Sequence, residues 1–485
     1  MTFPQIRSQM QQWRYAVPLA IALLVAGSSW WRNTRSVSQA DQLSAIAPLV
    51  APLDQDPQVQ VFFNHSEANV YTDPYRQITR HGDNLEALLI TTIEQANTSI
   101  DVAVQSLNLP LVAKALIDSH HRGVKVRLIL ENQYSQPWSQ ASSEKKPTKI
   151  ALEQLANWSL LADANEDGQI TPSELADTDA LRLLQTAGVP QLDDTADGSK
   201  GSGLMHHKFL VADQRWVVTG SANFTLSGIH GDAAEPSSRG NANSLLKIDS
   251  PALAQQLTAE FNLMWGDGPG LYPNSLFGLK KPARPARQVA LDQSHLTLQF
   301  SPTSTRQPWN SSVNGLIART LAQSSQQIDL ALFVFSEQPI ANQLEIQSAA
   351  GSNLRVLVDA GFIYRSYSEA LDLLGKTLPD QRCQIEADNR PWVRPIESVR
   401  SPQLDPGDKL HHKFAVIDET TVIVGSQNWS HAANTANDET LLVIHNPTVA
   451  AHFSREFERL YRMTRQDDDQ GYLQRKLSAG EQRCR

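Results

Sequence analysis

The residues best suited to chemistry come in two matching sets. His206, Lys208 and Asp213 stand in MHHKFLVADQRWVVTGSANFT, from Met205 to Thr225, and His411, Lys413 and Asp418 in LHHKFAVIDETTVIVGSQNWS, from Leu410 to Ser430. Each set runs on at the same spacing into Gly-Ser-x-Asn, which adds Ser221 and Asn223 to the first and Ser426 and Asn428 to the second. A histidine and a lysine two apart in a strand-like run project from one face. That face is normally apolar, and filling it with ionisable groups costs desolvation unless they do chemistry. A single copy would read as a satisfied core histidine beside a snorkelling lysine; two matching copies point to one shared site. Two imidazoles, two ammonium groups and two carboxamides make an anion site with a nucleophile and an acid. Lysines and amides can hold the non-bridging oxygens of a phosphodiester and neutralise charge that builds in the transition state. One imidazole can attack phosphorus while the other protonates the leaving alkoxide, and that set requires no catalytic metal.

The repeat extends to the elements that must position these groups. SIDVAVQSL from Ser99 and QIDLALFVF from Gln327 read as buried strands, and VKVRLIL from Val124 and NLRVLVD from Asn353 supply a second strand to each copy. Strands alternating with helical patterns predict an α/β protein with a mixed sheet in each half, covered by helices. The first domain is expected at 58–266 and the second at 292–465, joined by a proline-rich linker at 267–291. The last residues, 466–485, read as a charged, solvated helical tail.

Composition narrows the partners. The chain has 485 residues, 41% of them apolar, with 24 Gly and 26 Pro, which excludes a disordered or collagenous protein. Its 42 basic and 51 acidic side chains give a net charge of -9, so no global basic field draws in a polyanion. A nucleic-acid partner would need a local patch, for which KLHHK, Arg394, Arg400 and the linker residues Lys280, Lys281, Arg284 and Arg287 are candidates. Cys383 and Cys484 are too few for a disulfide framework; one bridge is open to them, and spacing fixes no pairing. Arg7 and Arg14 precede an uncharged run from Tyr15 to Trp31, and Arg32 and Arg35 follow it. This marks 1–40 as an export signal or membrane anchor, with 41–57 as a tether, and places the body outside the cytoplasm.

One insertion, about 147–180, breaks the symmetry. Within it DANEDGQITPSE sets Asp163, Asn165 and Asp167 at positions one, three and five of a loop, Gly168 at six and Glu174 at twelve, the pattern of an EF-hand calcium loop. Gln169 would contribute its backbone carbonyl. Helical patterns at Ile150–Leu161 and Ser173–Leu184 would enter and leave the loop. EF-hands usually come in pairs and no second loop is present, so a weak Ca2+ site with a structural or regulatory role is expected.

The pattern His-x-Lys, four residues, Asp, six residues, Gly-Ser-x-Asn resembles the signature of the phospholipase D superfamily, complete and twice over, and the likeness covers Val59 to Tyr461 apart from the insertion. The resemblance implies two tandem pseudo-symmetric α/β/α sandwich domains with the active site at their interface, and a phosphohistidine intermediate. It makes His206 and His411 the nucleophile and general acid, with the first copy, His206, favoured as nucleophile. Lys208, Lys413, Asn223 and Asn428 become the phosphate clamp, which Ser221 and Ser426 orient. Asp213 and Asp418 belong to the signature but are expected to support the fold. Family members carry a downstream acid that orients the imidazole; Glu439 in NDETLLVI fits that place for His411, whereas NANSLLKI puts Asn243 there in the first half. The expected activity is hydrolysis of phospholipid headgroup diesters at a membrane surface. Its alternatives are an exported non-specific endonuclease, a cardiolipin synthase-like phosphatidyltransferase and a non-catalytic calcium- and phosphate-binding scaffold. With both motifs in one chain, a monomer suffices.

Overall fold

The computed structural model describes residues 46–141, 149–163, 165, 167–199 and 203–485. The expected signal or anchor at 1–40 lies outside them. No helix among the described residues is long and apolar enough to cross a membrane. Pro48–Arg485 forms one compact unit.

Each half is built on one large sheet. The first contains β1 (Val59–Phe63), β2 (Ser99–Val104), β3 (Lys125–Leu130), β4 (Gln191–Asp193), β5 (Lys208–Ala212), β6 (Trp216–Gly220) and β7 (Ser244–Asp249), in the order β1-β7-β6-β5-β2-β3-β4. The second contains β8 (Arg287–Ala290), β9 (His295–Ser301), β10 (Gln327–Leu332), β11 (Asn353–Val358), β12 (Val399–Arg400), β13 (Lys413–Ile417), β14 (Thr421–Gly425) and β15 (Glu439–His445), in the order β8-β9-β15-β14-β13-β10-β11-β12. Apart from β8, which pairs antiparallel with β9, the two orders correspond strand for strand. In both, the pair of strands at one end is added parallel and the rest antiparallel. Strand β8 falls inside the stretch read as linker; its prolines precede it, and Arg287–Ala290 is free to add to the sheet edge.

Helices cover both faces, which is why the inner strands are buried along their whole length. On the outer faces lie α1 (Leu85–Glu94), α2 (Pro110–His121) and, in the insertion, α3 (Lys149–Ala162), α4 (Pro172–Thr178) and α5 (Ala180–Thr186), and in the second half α7 (Val313–Leu321) and α8 (Gln338–Ala349). The exiting helix predicted over Ser173–Leu184 is two helices, because Asp179 stops α4 and caps α5 by accepting from the Arg182 N–H. Facing inward are α6 (Pro251–Trp265) and α9 (Pro447–Arg462), which begin alike, with Ser250 or Asn446 as cap and proline in the first turn. Phe209, Val217 and Leu246 of the first sheet, Phe414, Val422 and Leu442 of the second, Phe261 of α6 and Phe453 of α9 belong to one core cluster that crosses from half to half.

The tail is the helix expected, mostly exposed, but it is docked on the second half. Helix α10 (Gln466–Arg483) buries Leu473 in the second half's outer core, and a Cys383–Cys484 disulfide, Cα to Cα 5.4 Å, fastens its end.

Candidate active site

The two His-x-Lys segments enter their strands through a mutual exchange. Met205, just before His206, bridges to Asp438, just before Glu439; Leu410, just before His411, bridges to Ala242, just before Asn243. The His206 N–H donates to the Asp438 carbonyl at 2.9 Å and the His411 N–H to the Ala242 carbonyl at 3.1 Å. Each histidine is thereby set beside the start of the last strand of the opposite half, Glu439 at the first position of β15 and Asn243 just before β7.

That register corrects the pairing read from the sequence. Glu439 does not serve His411: its Oε2 lies 2.6 Å from Nδ1 of His206. His411 Nδ1 instead meets Oδ1 of Asn243 at 2.9 Å. Ser426 donates to Glu439 Oε2 at 2.7 Å and Ser221 to Asn243 Oδ1 at 2.8 Å, so each serine orients the partner of the other half's histidine. Asn243 Nδ2 donates to the Gly228 and Asn241 carbonyls, which leaves its oxygen as the acceptor and puts the proton of His411 on Nδ1. In both rings Nε2 is left as the atom for chemistry.

Lys208 and Lys413 are buried, and each donates to the carbonyl of its own histidine, at 2.9 and 2.6 Å. Gln105, beyond the end of β2, takes a second contact from Lys208 and one from Asn223, both 3.4 Å. Its counterpart in the repeat is Phe333, whose ring lies 5.0 Å from Lys413 Nζ and 4.9 Å from the His411 ring, with Phe362 stacked edge-on behind it. Asn223 and Asn428 each keep a buried amide oxygen without a partner. Unsatisfied polar atoms at the same place in both halves mark where a polar ligand completes the set, and a half-turn of either carboxamide presents the NH2 that a phosphate oxygen needs.

Burial governs the protonation states. It lowers His206 to about 4, against the pull of Glu439 and with the help of the Lys208 charge. His411 falls well below the usual imidazole value through burial, then Lys413, Lys208 and His206. Burial brings Lys208 down to about 7 and, with the charge of Lys208 added, takes Lys413 well below the ordinary ammonium value. Burial alone would raise Glu439, but the His206 ring, Lys208 and the Ser426 hydroxyl hold it below the ordinary carboxyl range. A pocket that sheds protons because it is buried and, secondarily, because cations crowd it regains them when an anion enters.

Asp213 and Asp418, counted with the site because they belong to the signature, lie outside this pocket and support the fold, as expected of them. They follow β5 and β13 at the end away from the lysines, about 16 Å along a strand of 3.3 Å per residue. There Asp213 accepts from the Asn97, Thr98 and Ser99 amides, and Asp418 from those of Ser325, Gln326 and Gln327. The sequence reading missed the layer behind the histidines. Buried His207 bonds Thr440 Oγ1 at 2.8 Å and faces Glu260 of α6; buried His412 bonds Glu456 of α9 at 3.0 Å. The repeated Glu-Phe in TAEF and SREF was the available signal.

The calcium candidates occupy a separate loop between α3 and α4. Asp163 and Asn165 both accept from the Asp167 N–H, Asp163 from Gly168, and Asp167 from Gln169. Glu174 Oε2 caps α4 by accepting from the N–H and hydroxyl of Thr171. Among the described residues no three His, Cys, Asp or Glu side chains are already gathered as metal ligands. The all-oxygen donor set fits a hard cation in type and spacing, with Glu174 having to turn inward from Thr171.

A family model described as "Cardiolipin synthase, PLD-like domain" matches residues 89–265 and 317–461, one segment in each half. Human mitochondrial cardiolipin hydrolase is 28% identical over 154 residues, 32% of this chain and 53% of the relative. A phospholipase D of Rickettsia conorii is 24% identical over 196 residues, 39% of this chain and 84% of the relative. The chain thus spans about half the length of the human relative it matches. The crystal structure of phosphatidylserine synthase from Haemophilus influenzae Rd KW20 shares the fold, with a TM-score of 0.50 at 13% identity over 85% of this chain and 88% of that one. With two matched segments, two corresponding sheets and two histidine–lysine pairs meeting at their junction, the chain belongs to the phospholipase D superfamily through its PLD-like domains.

Proposed function

We propose that the chain is a phosphodiesterase that hydrolyses phospholipid headgroup diesters through a phosphohistidine on His206. The observation that carries this reading is the asymmetry of the two histidines: Glu439, a carboxylate, backs His206, and Asn243, a neutral amide, backs His411. A carboxylate on Nδ1 makes Nε2 of His206 the better nucleophile and balances the charge of the phosphorylated ring. His206 Nε2 attacks phosphorus as the bond to the headgroup oxygen breaks, and His411, protonated beside the bound anion, gives its Nε2 proton to that oxygen. Then His411 takes a proton from water, the water oxygen bonds to phosphorus, and the nitrogen–phosphorus bond breaks. Lys208, Lys413, Asn223 and Asn428 hold the non-bridging oxygens through both steps.

A phospholipid is supported by the names of the relatives, cardiolipin hydrolase and phospholipase D. It is supported also by the fate of three of the basic residues that a polyanion would need, although Lys280, Arg287, Arg394 and Lys409 stay exposed. Lys281 is buried between Glu260 and Asp438, Arg284 leans on Glu260, and Arg400 stacks on Tyr461. An extracytoplasmic site of action suits the Cys383–Cys484 bridge. Calcium, held by Asp163, Asn165, Asp167, the Gln169 carbonyl and Glu174, would tie α3 to α4 and serve structure rather than chemistry.

The test is turnover of the purified chain on phosphatidylcholine vesicles, cardiolipin vesicles and single-stranded DNA, with His206→Ala and His411→Ala in parallel. Release of headgroup alcohol, lost in both variants, supports the proposal. In His411→Ala, a 4-nitrophenyl diester, whose leaving group needs no acid, should trap phosphate on His206. Cleavage of DNA without lipid turnover replaces the reading with a nuclease.

A further inference from the structure

The linker lysine that the sequence offered as a surface charge has a different place. Lys281 is buried, with its ammonium in contact with Glu260 Oε1 and 2.7 Å from Asp438 Oδ1. The Asp438 carboxylate also accepts from the Gly278 N–H, at 2.9 and 3.1 Å, so two linker residues grip one side chain of the second half. Asp438 is the residue whose backbone is knitted to the His206 segment in both directions: its carbonyl accepts from the His206 N–H, and its own N–H donates to the Leu204 carbonyl at 2.8 Å. Glu439 follows it directly. The other partner of Lys281, Glu260, lies 3.6 Å from His207, the residue after His206, and His207 in turn bonds Thr440, the residue after Glu439. One ammonium group therefore sits among the chain neighbours of both members of the His206–Glu439 pair.

We infer that Lys281, acting through Asp438, is a positioning residue that holds the Glu439 carboxylate against His206. The second half supplies the comparison that separates this role from simple stapling of a linker. There the counterpart of Asp438 is Ala242, and the counterpart of Glu260, Glu456, is neutralised within its own helix by Arg459 at 2.8 Å. Among the described residues no linker cation is buried behind His411 and Asn243, where the orienting group is a neutral amide. Burying a lysine costs desolvation. The fold accepts that cost on the side where a charged carboxylate has to be aimed at an imidazole.

The proposal rests on the phosphodiesterase reading for its kinetic arm alone, and a second arm reads the geometry without substrate. The variants are Lys281→Arg, Asp438→Asn and the double Lys281→Met/Asp438→Asn, in which one cation and one anion leave together so that Glu260 keeps Arg284. Folding is checked by circular dichroism and melting. The geometric readout is the low-field proton resonance of His206 Nδ1–H, identified by its loss in His206→Ala. In the double variant this resonance should broaden or move toward the position of a ring without a carboxylate partner, and in Lys281→Arg it should persist. On the diester substrate, kcat of the double variant should fall roughly 10- to 100-fold with KM nearly unchanged, as expected for a displaced orienting group, and Lys281→Arg should recover most of it. A folded double variant with an unchanged resonance and wild-type kcat overturns the inference. A resonance that responds in a chain that turns over no diester overturns the phosphodiesterase reading and leaves the positioning role standing.

Discussion

At the residue scale, the sharpest feature is that two copies of one motif support their histidines with different chemistry. Glu439→Gln removes the charge that raises His206, so its imidazole loses nucleophilicity and its titration moves to lower pH. We expect kcat to fall about 100-fold or more, with the acid limb of kcat/KM, set near 4 by His206, shifting down. Asn243→Asp acts with the opposite sign on His411: a carboxylate raises its pKa, the acid form persists to higher pH, and the alkaline limb of kcat moves up. pH–rate profiles of the two variants check both directions. The residues of this site were legible in the sequence because the motif repeats intact. Their partnership was not. Glu439 lies closer in sequence to His411 than to His206, from which it is separated by 233 positions. Only the cross-half bridges at Met205–Asp438 and Leu410–Ala242 decide between them, and those depend on how two sheets meet.

At the level of elements, the signature aspartates are turn and strand supports. Asp213 and Asp418 adopt left-handed backbone, φ 52° and 50°, which aspartate tolerates, and gather the amides that start β2 and β10. Burial pushes Asp418 up, but the Gln327, Ser325 and Gln326 amides outweigh it and bring it to about 2. Its contribution to stability is then complete above the ordinary value of 3.8 and disappears as the pH falls through about 2. Asp213→Ala should cost about 1–3 kcal/mol in denaturant unfolding, with kcat per folded molecule unchanged; a collapse of kcat at full folding would return Asp213 to the catalytic set. The tail carries the other prediction. The Cys383–Cys484 bridge closes a loop of 101 residues, and replacing both cysteines with serine should cost about 2–4 kcal/mol, leaving activity intact at temperatures below the new melting point. The central strands were readable from their apolar runs. Helix α10 is mostly exposed, as the polar composition of 466–485 predicts, and the contacts that dock it, among them Leu473 in the outer core, Tyr472 against Tyr364 and Gly480 against Leu378, carry no periodic signal.

For the molecule as a whole, the alternation of strands and helices was enough to read two α/β halves, while nothing in the pattern of either half shows that their inner faces form one core. Fusion of the cores lets a distant insertion be tested for what it does to the whole. If calcium at Asp163–Glu174 ties α3 to α4, chelation should lower the melting temperature by a few degrees and leave kcat of the folded chain within about twofold. A fall in kcat without loss of fold would make the loop a regulator instead. The exchange of partners across the halves also sets an order in time. The ribosome delivers His206, Lys208 and Asn223 long before Glu439, so the first half emerges with His206 lacking its carboxylate partner. A nascent chain shorter than 439 residues holds no complete pair of histidine and acid, whatever the state of its first half.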